Sequence, residues 1–160
     1  MAAKRYGTVP SSEQNKMSGL AFVKGLADGS QPLNTMAEVL DYDVVEAEVG
    51  RVVITAAPTG AYLNPQGTVH GGYSATLLDA CMGLAVATTL DQGLGSTTLE
   101  FKITFMRPVV PDSGTITAVG TVLRSGRRAG YAEGKITDEN GKLLAHATTS
   151  CMIFERPEGD

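Results

Sequence analysis

The sequence predicts an α+β fold: a curved antiparallel sheet wrapped around one long central helix, with an extra N-terminal helix. Three observations predict it. Residues 73–90 are apolar and alanine-rich with a single formal charge, Asp79, and a helix apolar on nearly all sides is a buried one. From Ser96 onward the pattern changes to an alternation of period two, in four runs broken by turn residues, which is the signature of strands with one buried face. Short turns between the late runs favour an antiparallel meander, and the simplest cover for its apolar face is the helix. The 160 residues suffice for one core and one domain.

The elements follow in order. Residues 11–27 place Met17, Leu20, Ala21, Val23 and Leu26 at helical spacing, with Ser11 and Ser12 as a cap and Asp28-Gly29 as a stop. Residues 31–34 connect to a run at 38–49 that alternates as a strand, and Gly50-Arg51 turns it into a second strand at 52–57. Breakers at 58–60 and 64–67 lead to Gly71-Gly72 and the long helix. Strands are then expected at 96–107, 114–123, 130–137 and 143–154. In the first of these, Leu99, Phe101, Ile103 and Phe105 share one face, and Thr98, Glu100, Lys102 and Thr104 the other. Asp138-Glu139-Asn140-Gly141 is a hairpin turn signal. The expected organisation is an N-terminal helical extension at 1–34, the main domain at 35–155 and a flexible tail at 156–160.

Thirteen basic against seventeen acidic residues give a net charge of −4, which argues against nucleic acid as a partner. Cys81 and Cys151 are the only cysteines and read as small core residues of a reducing compartment. No signal peptide or membrane-spanning run is visible, so a cytoplasmic location is expected. Two histidines and two cysteines without metal spacing predict no metal site.

Asp79 is the first candidate for chemistry. Burying an ionised carboxylate costs several kcal/mol unless it is hydrogen-bonded or wet, and its neighbours at 76–82 offer no polar side chain beyond Thr76. Such a carboxylate can act as a general base on water or as a nucleophile on an acyl carbon. Gly71 and Gly72 open the same helix, where the first N–H groups lack intrahelical partners and the dipole is positive. They let a carbonyl oxygen approach, and one such oxyanion donor is commonly worth about 3–4 kcal/mol. His70 is placed to orient that loop or to hydrogen-bond the substrate carbonyl. Nine residues of helix separate His70 from Asp79 by ~13 Å, whereas donor and base must lie within ~3 Å of one reacting group. A two-fold dimer with antiparallel helices removes the conflict, so the active site is expected to need two chains. Arg124, Arg127 and Arg128, with Ser125 and Gly126, form the one dense basic cluster, read either as a solvated turn or as a clamp for phosphate groups.

Residues 64–72, Asn-Pro-Gln-Gly-Thr-Val-His-Gly-Gly, followed by Ala75-Thr76-Leu77-Leu78-Asp79 and by Ile103-Thr104-Phe105-Met106-Arg107-Pro108, resemble the hotdog-fold acyl-CoA thioesterases of the phenylacetic-acid-degradation type. The resemblance spans roughly residues 42–154. It implies a hotdog fold, dimers that join sheets edge to edge and often pair into tetramers, and hydrolysis of an acyl-CoA thioester with no cofactor beyond the CoA of the substrate. It assigns Asp79 as the catalytic carboxylate and Gly71 as the donor to the thioester carbonyl. Asn64 and His70 position water or thioester, Thr98 lies near the catalytic water, and the turn at 124–128 meets the CoA nucleotide. Some relatives carry a hydroxyl one turn after the carboxylate; here that position is Gly83, which leaves Thr98 to hold a water. A non-catalytic acyl-CoA-binding or sensor protein on the same fold is the alternative, and Asp79 argues against it. Acyl specificity, and CoA against acyl carrier protein, stay open at this level.

Overall fold

The computed structural model describes residues 4–111 and 113–157. The N-terminal stretch predicted as one helix forms two, α1 (Ser11–Gln14) and α2 (Gly19–Asp28). Helical periodicity runs through the break, but tertiary contact overrides it. Ser18 is extended and its hydroxyl accepts from the Ala21 N–H, starting a new helix. The Gly19 N–H donates to the Leu90 carbonyl at 3.0 Å, and a Cβ there would stand 1.7 Å from the Ala87 carbonyl oxygen. Only a residue without a side chain lets the chain pass this close to the end of the long helix at that point.

A second correction concerns residues 38–40, predicted as the start of a strand. They belong to α3 (Thr35–Leu40). Asn34 caps it by accepting from the Ala37 N–H at 2.9 Å, and Asp41, at φ 50° in the left-handed region, ends it. The strands β1 (Tyr42–Glu48) and β2 (Arg51–Ala56) follow as a hairpin. After a single 3-10 turn at Gly60–Tyr62 comes the predicted central helix, α4 (Gly71–Ala87), and then β3 (Leu94–Phe105), β4 (Ile116–Ser125), β5 (Ala129–Thr137) and β6 (Leu143–Glu155). This is the hotdog architecture: one six-stranded antiparallel sheet curved around α4.

The strand order is β1-β2-β4-β5-β6-β3. The predicted meander therefore holds for β4, β5 and β6 alone, and β3 lies at the far edge against β6. The connection after β3 makes this possible by crossing the start of α4. There the Val69 N–H donates to the Val109 carbonyl (2.9 Å), and Met106 and Arg107 both donate to the Leu144 carbonyl.

Within β3 the register shifts between Thr98 and Glu100, making Leu99 the extra residue of a bulge. The simple alternation expected from the sequence fails at that point. Thr98 pairs with buried Cys151 and Phe101 with buried Thr149, so both face α4, while Leu99 is 62% exposed.

Leu77, Leu78, Cys81, Met82, Ala85 and Val86 of α4 are buried against the concave face of the sheet. The approach is close because Gly120 and Gly134, paired across β4 and β5, lie under the helix. A Cβ on Gly120 would meet the Cys81 carbonyl oxygen at 2.3 Å, and one on Gly134 would meet Met82 at 2.9 Å. Both cysteines are free and buried. Burial pushes the Cys81 thiol up to about 12 and raises Cys151 as well. Among the described residues no helix is long and apolar enough to cross a membrane.

Gly120→Ala should cost about 1–3 kcal/mol, because backbone rather than a flexible side chain stands in its way. Gly83→Ala, on the open side of α4 with Thr98 Oγ1 no nearer than 3.9 Å, should instead gain about 0.5–1 kcal/mol through helix propensity. Denaturant midpoints measure both. The raised Cys81 pKa keeps the folded state protonated where the unfolded thiol, near 9, has ionised. Its contribution to stability is thus intact below pH 9 and lost as pH climbs towards about 12. Cys81→Ala should flatten that alkaline decline in thermal melts.

Candidate functional site

The start of α4 is organised by His70. Its Nδ1 accepts the Gly72 N–H at 2.9 Å, so the neutral ring carries its proton on Nε2. His70 is tied in turn by its own N–H to the Tyr62 carbonyl (2.7 Å), and Tyr62 stacks on Tyr73 with ring centroids 4.9 Å apart. The Gly72 amide is thereby engaged. The Gly71 N–H finds no acceptor among the described residues, and Gly71 lines a cavity of about 370 Å³ with Asn64, Phe105, Arg107 and Leu144. The Phe105 ring lies over Gly71, 3.0 Å from where a Cβ would stand.

Asn64 builds the loop beneath this cavity. Its Oδ1 accepts from the N–H groups of Gln66 and Thr68, and its Nδ2 donates to Thr68 Oγ1 at 2.8 Å. This is an Asx-type turn, and it fixes the approach to the helix.

Asp79 lies further along α4, half-buried, in a separate cleft of about 570 Å³. The Thr98 hydroxyl donates to its Oδ1 at 2.8 Å, a contact that exists because the Leu99 bulge turns Thr98 inward. Gly83, one turn on, leaves the space beside Thr98 open. Tyr42, held by its hydroxyl's hydrogen bond to Asn34 Oδ1 (3.1 Å), and Cys151 also line the cleft. Burial raises both groups, and the Asp79 charge adds to the effect on each. Both therefore stay protonated near neutral pH. The carboxylate is the base that this cleft offers.

The basic cluster occupies the turn between β4 and β5. Ser125, Gly126, Arg127 and Arg128 line a third cavity of about 770 Å³ beyond the end of α4, which Asp91 and Glu155 share. Arg124 does not line it. The Ser125 hydroxyl is hydrogen-bonded to that of Thr89 at 2.8 Å. All three arginines are exposed and without an ion-pair partner among the described residues.

The structure thus joins Asp79 to Thr98, Gly71 to Asn64, and Arg127 and Arg128 to Ser125 and Gly126. It does not join these three groups within one chain. Eight residues of helix, ~12 Å, separate Gly71 from Asp79, and the two open into different cavities.

Sequence reasoning missed Tyr42, Cys151, Phe22 and Arg156, which line the Asp79 cleft with the residues above. The first two were hidden by non-local strand pairing. Arg156 was placed in the tail, yet its N–H donates to the Gly93 carbonyl (2.8 Å), and Asn15 Nδ2 donates to the Pro157 carbonyl (3.1 Å). Residues 158–160 of that tail lie outside the described residues.

The profile of the thioesterase superfamily matches residues 66–145, the stretch that carries Gly71, Asp79, Thr98 and the arginine turn. The chain is 30% identical over 132 residues to a candidate esterase of Saccharolobus solfataricus, covering 82% of this chain and 92% of that one. It is 31% identical over 104 residues to human acyl-coenzyme A thioesterase 13, with 64% and 72% covered. Among solved structures it is similar to a phenylacetic acid degradation-related protein of Ralstonia eutropha JMP134, with a TM-score of 0.74 at 28% identity, over 82% of this chain and 98% of that chain. With fold, profile and relatives in agreement, the chain belongs to the thioesterase superfamily.

Proposed function

We propose that the protein hydrolyses acyl-CoA thioesters at a site shared by two copies of the chain. The observation that carries this reading is Asp79, its Oδ1 held by the Thr98 hydroxyl, in an open cleft on a thioesterase scaffold. The relative named as an acyl-coenzyme A thioesterase supports the substrate class.

The chemistry needs three things. A carboxylate oxygen must take the proton of an attacking water, or itself add to the acyl carbon. A donor must meet the oxyanion that forms on the thioester oxygen. The CoA sulfur then leaves. Asp79 supplies the first and the Gly71 N–H the second. Thr98 pins the carboxylate, and with Gly83 lacking a side chain it is the hydroxyl nearest to hold water. His70 fixes Gly72 and leaves Gly71 as the free donor. Asn64 keeps the loop before the helix in shape. Arg127 and Arg128 offer charge-assisted hydrogen bonds to the phosphates of CoA, which favours CoA over a protein carrier.

Two copies are required because Gly71 and Asp79 of one chain stand too far apart. The free edge of β3 supports the way in which they meet. It runs for twelve residues with its outer side unpaired among the described residues, and Leu99 and Phe105 on it, with Met106 just beyond, are exposed. A long edge with exposed apolar residues calls for a partner strand. Antiparallel pairing of two β3 strands brings the two α4 helices side by side and opposed, so that Gly71 of each faces Asp79 of the other.

Asp79→Asn should lower kcat by several orders of magnitude with the fold and assembly intact, and Thr98→Val by ten- to a hundredfold, read from thiol release on a panel of aromatic and straight-chain acyl-CoAs. Saturable binding without turnover by the unaltered protein would replace the enzyme with an acyl-CoA sensor. The shared site has its own test. Gly71→Pro removes the donor N–H at a helix position that tolerates proline. Asp79→Asn and Gly71→Pro chains, each inactive, should regain about a quarter of the activity when co-refolded, since half the dimers are hybrids with one intact site. Absence of any recovery would place both groups in one chain's site.

A further inference from the structure

We propose that Arg156 recognises a carboxylate at the far end of the acyl chain, which makes ω-carboxyacyl-CoA thioesters the preferred substrates. This rests on the reading of Asp79 as the thioester site. The Asp79 cleft follows one stripe of α4, with Thr76, Asp79, Gly83 and Ala87 in register along it. From Asp79 to Ala87 the stripe runs ~12 Å. Beyond the carboxylate the stripe presents Gly83 and Ala87, flanked by Ala80 and Leu84, so an extended alkyl chain can lie on the helix.

Arg156 closes the far end. Its backbone N–H is bonded to the Gly93 carbonyl just past the helix. Its Nε and Cγ lie 3.0 and 3.1 Å from where a Cβ on Gly95 would be, a position only glycine leaves open to it. Asn15 of the N-terminal extension fixes the next residue through the Pro157 carbonyl. Glu155 faces the cavity of the arginine turn, whereas Arg156 faces the Asp79 cleft, so the two cationic regions are separate.

Arg156 is half-buried, and among the described residues its guanidinium has neither an ion-pair partner nor a side-chain hydrogen bond. Partial burial disfavours its charge and lowers its basicity. A carboxylate delivered by the substrate offsets this. The ~12 Å span also selects against short diacids, whose second carboxylate would stand against Asp79.

The test compares kcat/KM for suberoyl- and sebacoyl-CoA with octanoyl- and decanoyl-CoA, with malonyl-CoA as the short diacid. The unaltered protein should favour the longer diacid esters at least tenfold and discriminate against malonyl-CoA. Arg156→Gln should collapse the ratio between the two series towards unity through KM rather than kcat. Arg156→Lys should restore part of it, and Arg156→Glu should invert it. If the unaltered protein turns over octanoyl- and decanoyl-CoA without favouring their carboxylated counterparts, the inference fails and the hydrolase reading stands. If no acyl-CoA is turned over, both fail. An Arg156→Gln protein whose KM rises equally for both series, with weaker inhibition by free CoA, would place the arginine on the CoA moiety and overturn the inference.

Discussion

The contact on which the rest depends is the close approach of α4 to the paired glycines of β4 and β5. With Gly120 and Gly134 beneath it, the helix sinks into the sheet until Cys81 and Met82 touch backbone. Any side chain larger than hydrogen at Gly120 would lift it. The lift would be felt along the whole helix, because α4 is a single rigid rod bearing the Gly71 amide, Asp79 and the contact with Gly19. Interiors packed at this density transmit such shifts rather than absorbing them.

From that anchoring the chemistry is arranged by rotation around the helix. The faces bearing Leu77, Leu78, Cys81, Met82, Ala85 and Val86 are consumed by the core. What remains open is the stripe through Thr76, Asp79, Gly83 and Ala87, and the N-terminal extension lays Phe22 along it. Asp79 is thus half-buried rather than sealed, and the Thr98 hydroxyl gives it a hydrogen-bond partner. A carboxylate with one oxygen hydrogen-bonded and one side open can still reach a substrate.

The parts of this arrangement legible in the sequence were those carried by local signals. The unbroken apolar run announced the central helix, and the acid within it announced the cleft. The Gly-Gly pair after His70 announced the helix start, although periodicity alone could not tell that His70 would cap Gly72 and leave Gly71 free. What stayed illegible depended on contacts distant in sequence. The break at Ser18 answers to Leu90 and Ala87. The placement of β3 at the far edge answers to the crossing at Val69 and Val109. Asn34 before α3 and Ser18 before α2 are nonetheless local caps in their own right. Arg156 was obscured by its position, because a charged residue near a chain end reads as solvated until the partners of its backbone are known.

The Leu99 bulge links the two halves of the functional proposal. A regular β3 would place Thr98 on the outer face with Glu100 and Lys102, and Asp79 would lose its hydroxyl partner. The extra residue reverses Thr98 without disturbing Phe101 and Ile103, which continue to cover the core. The displaced residue, Leu99, emerges on the strand whose outer edge is unpaired. One local irregularity therefore supplies the group that orients the acid and an apolar contact on the edge where a second copy would dock. Bulges of this kind commonly re-aim a side chain beside a reactive centre. Restoring a regular strand by deleting Leu99 would remove the Thr98–Asp79 hydrogen bond and an edge contact together, so in this chain the geometry of the carboxylate and the shape of the β3 edge are not independent variables.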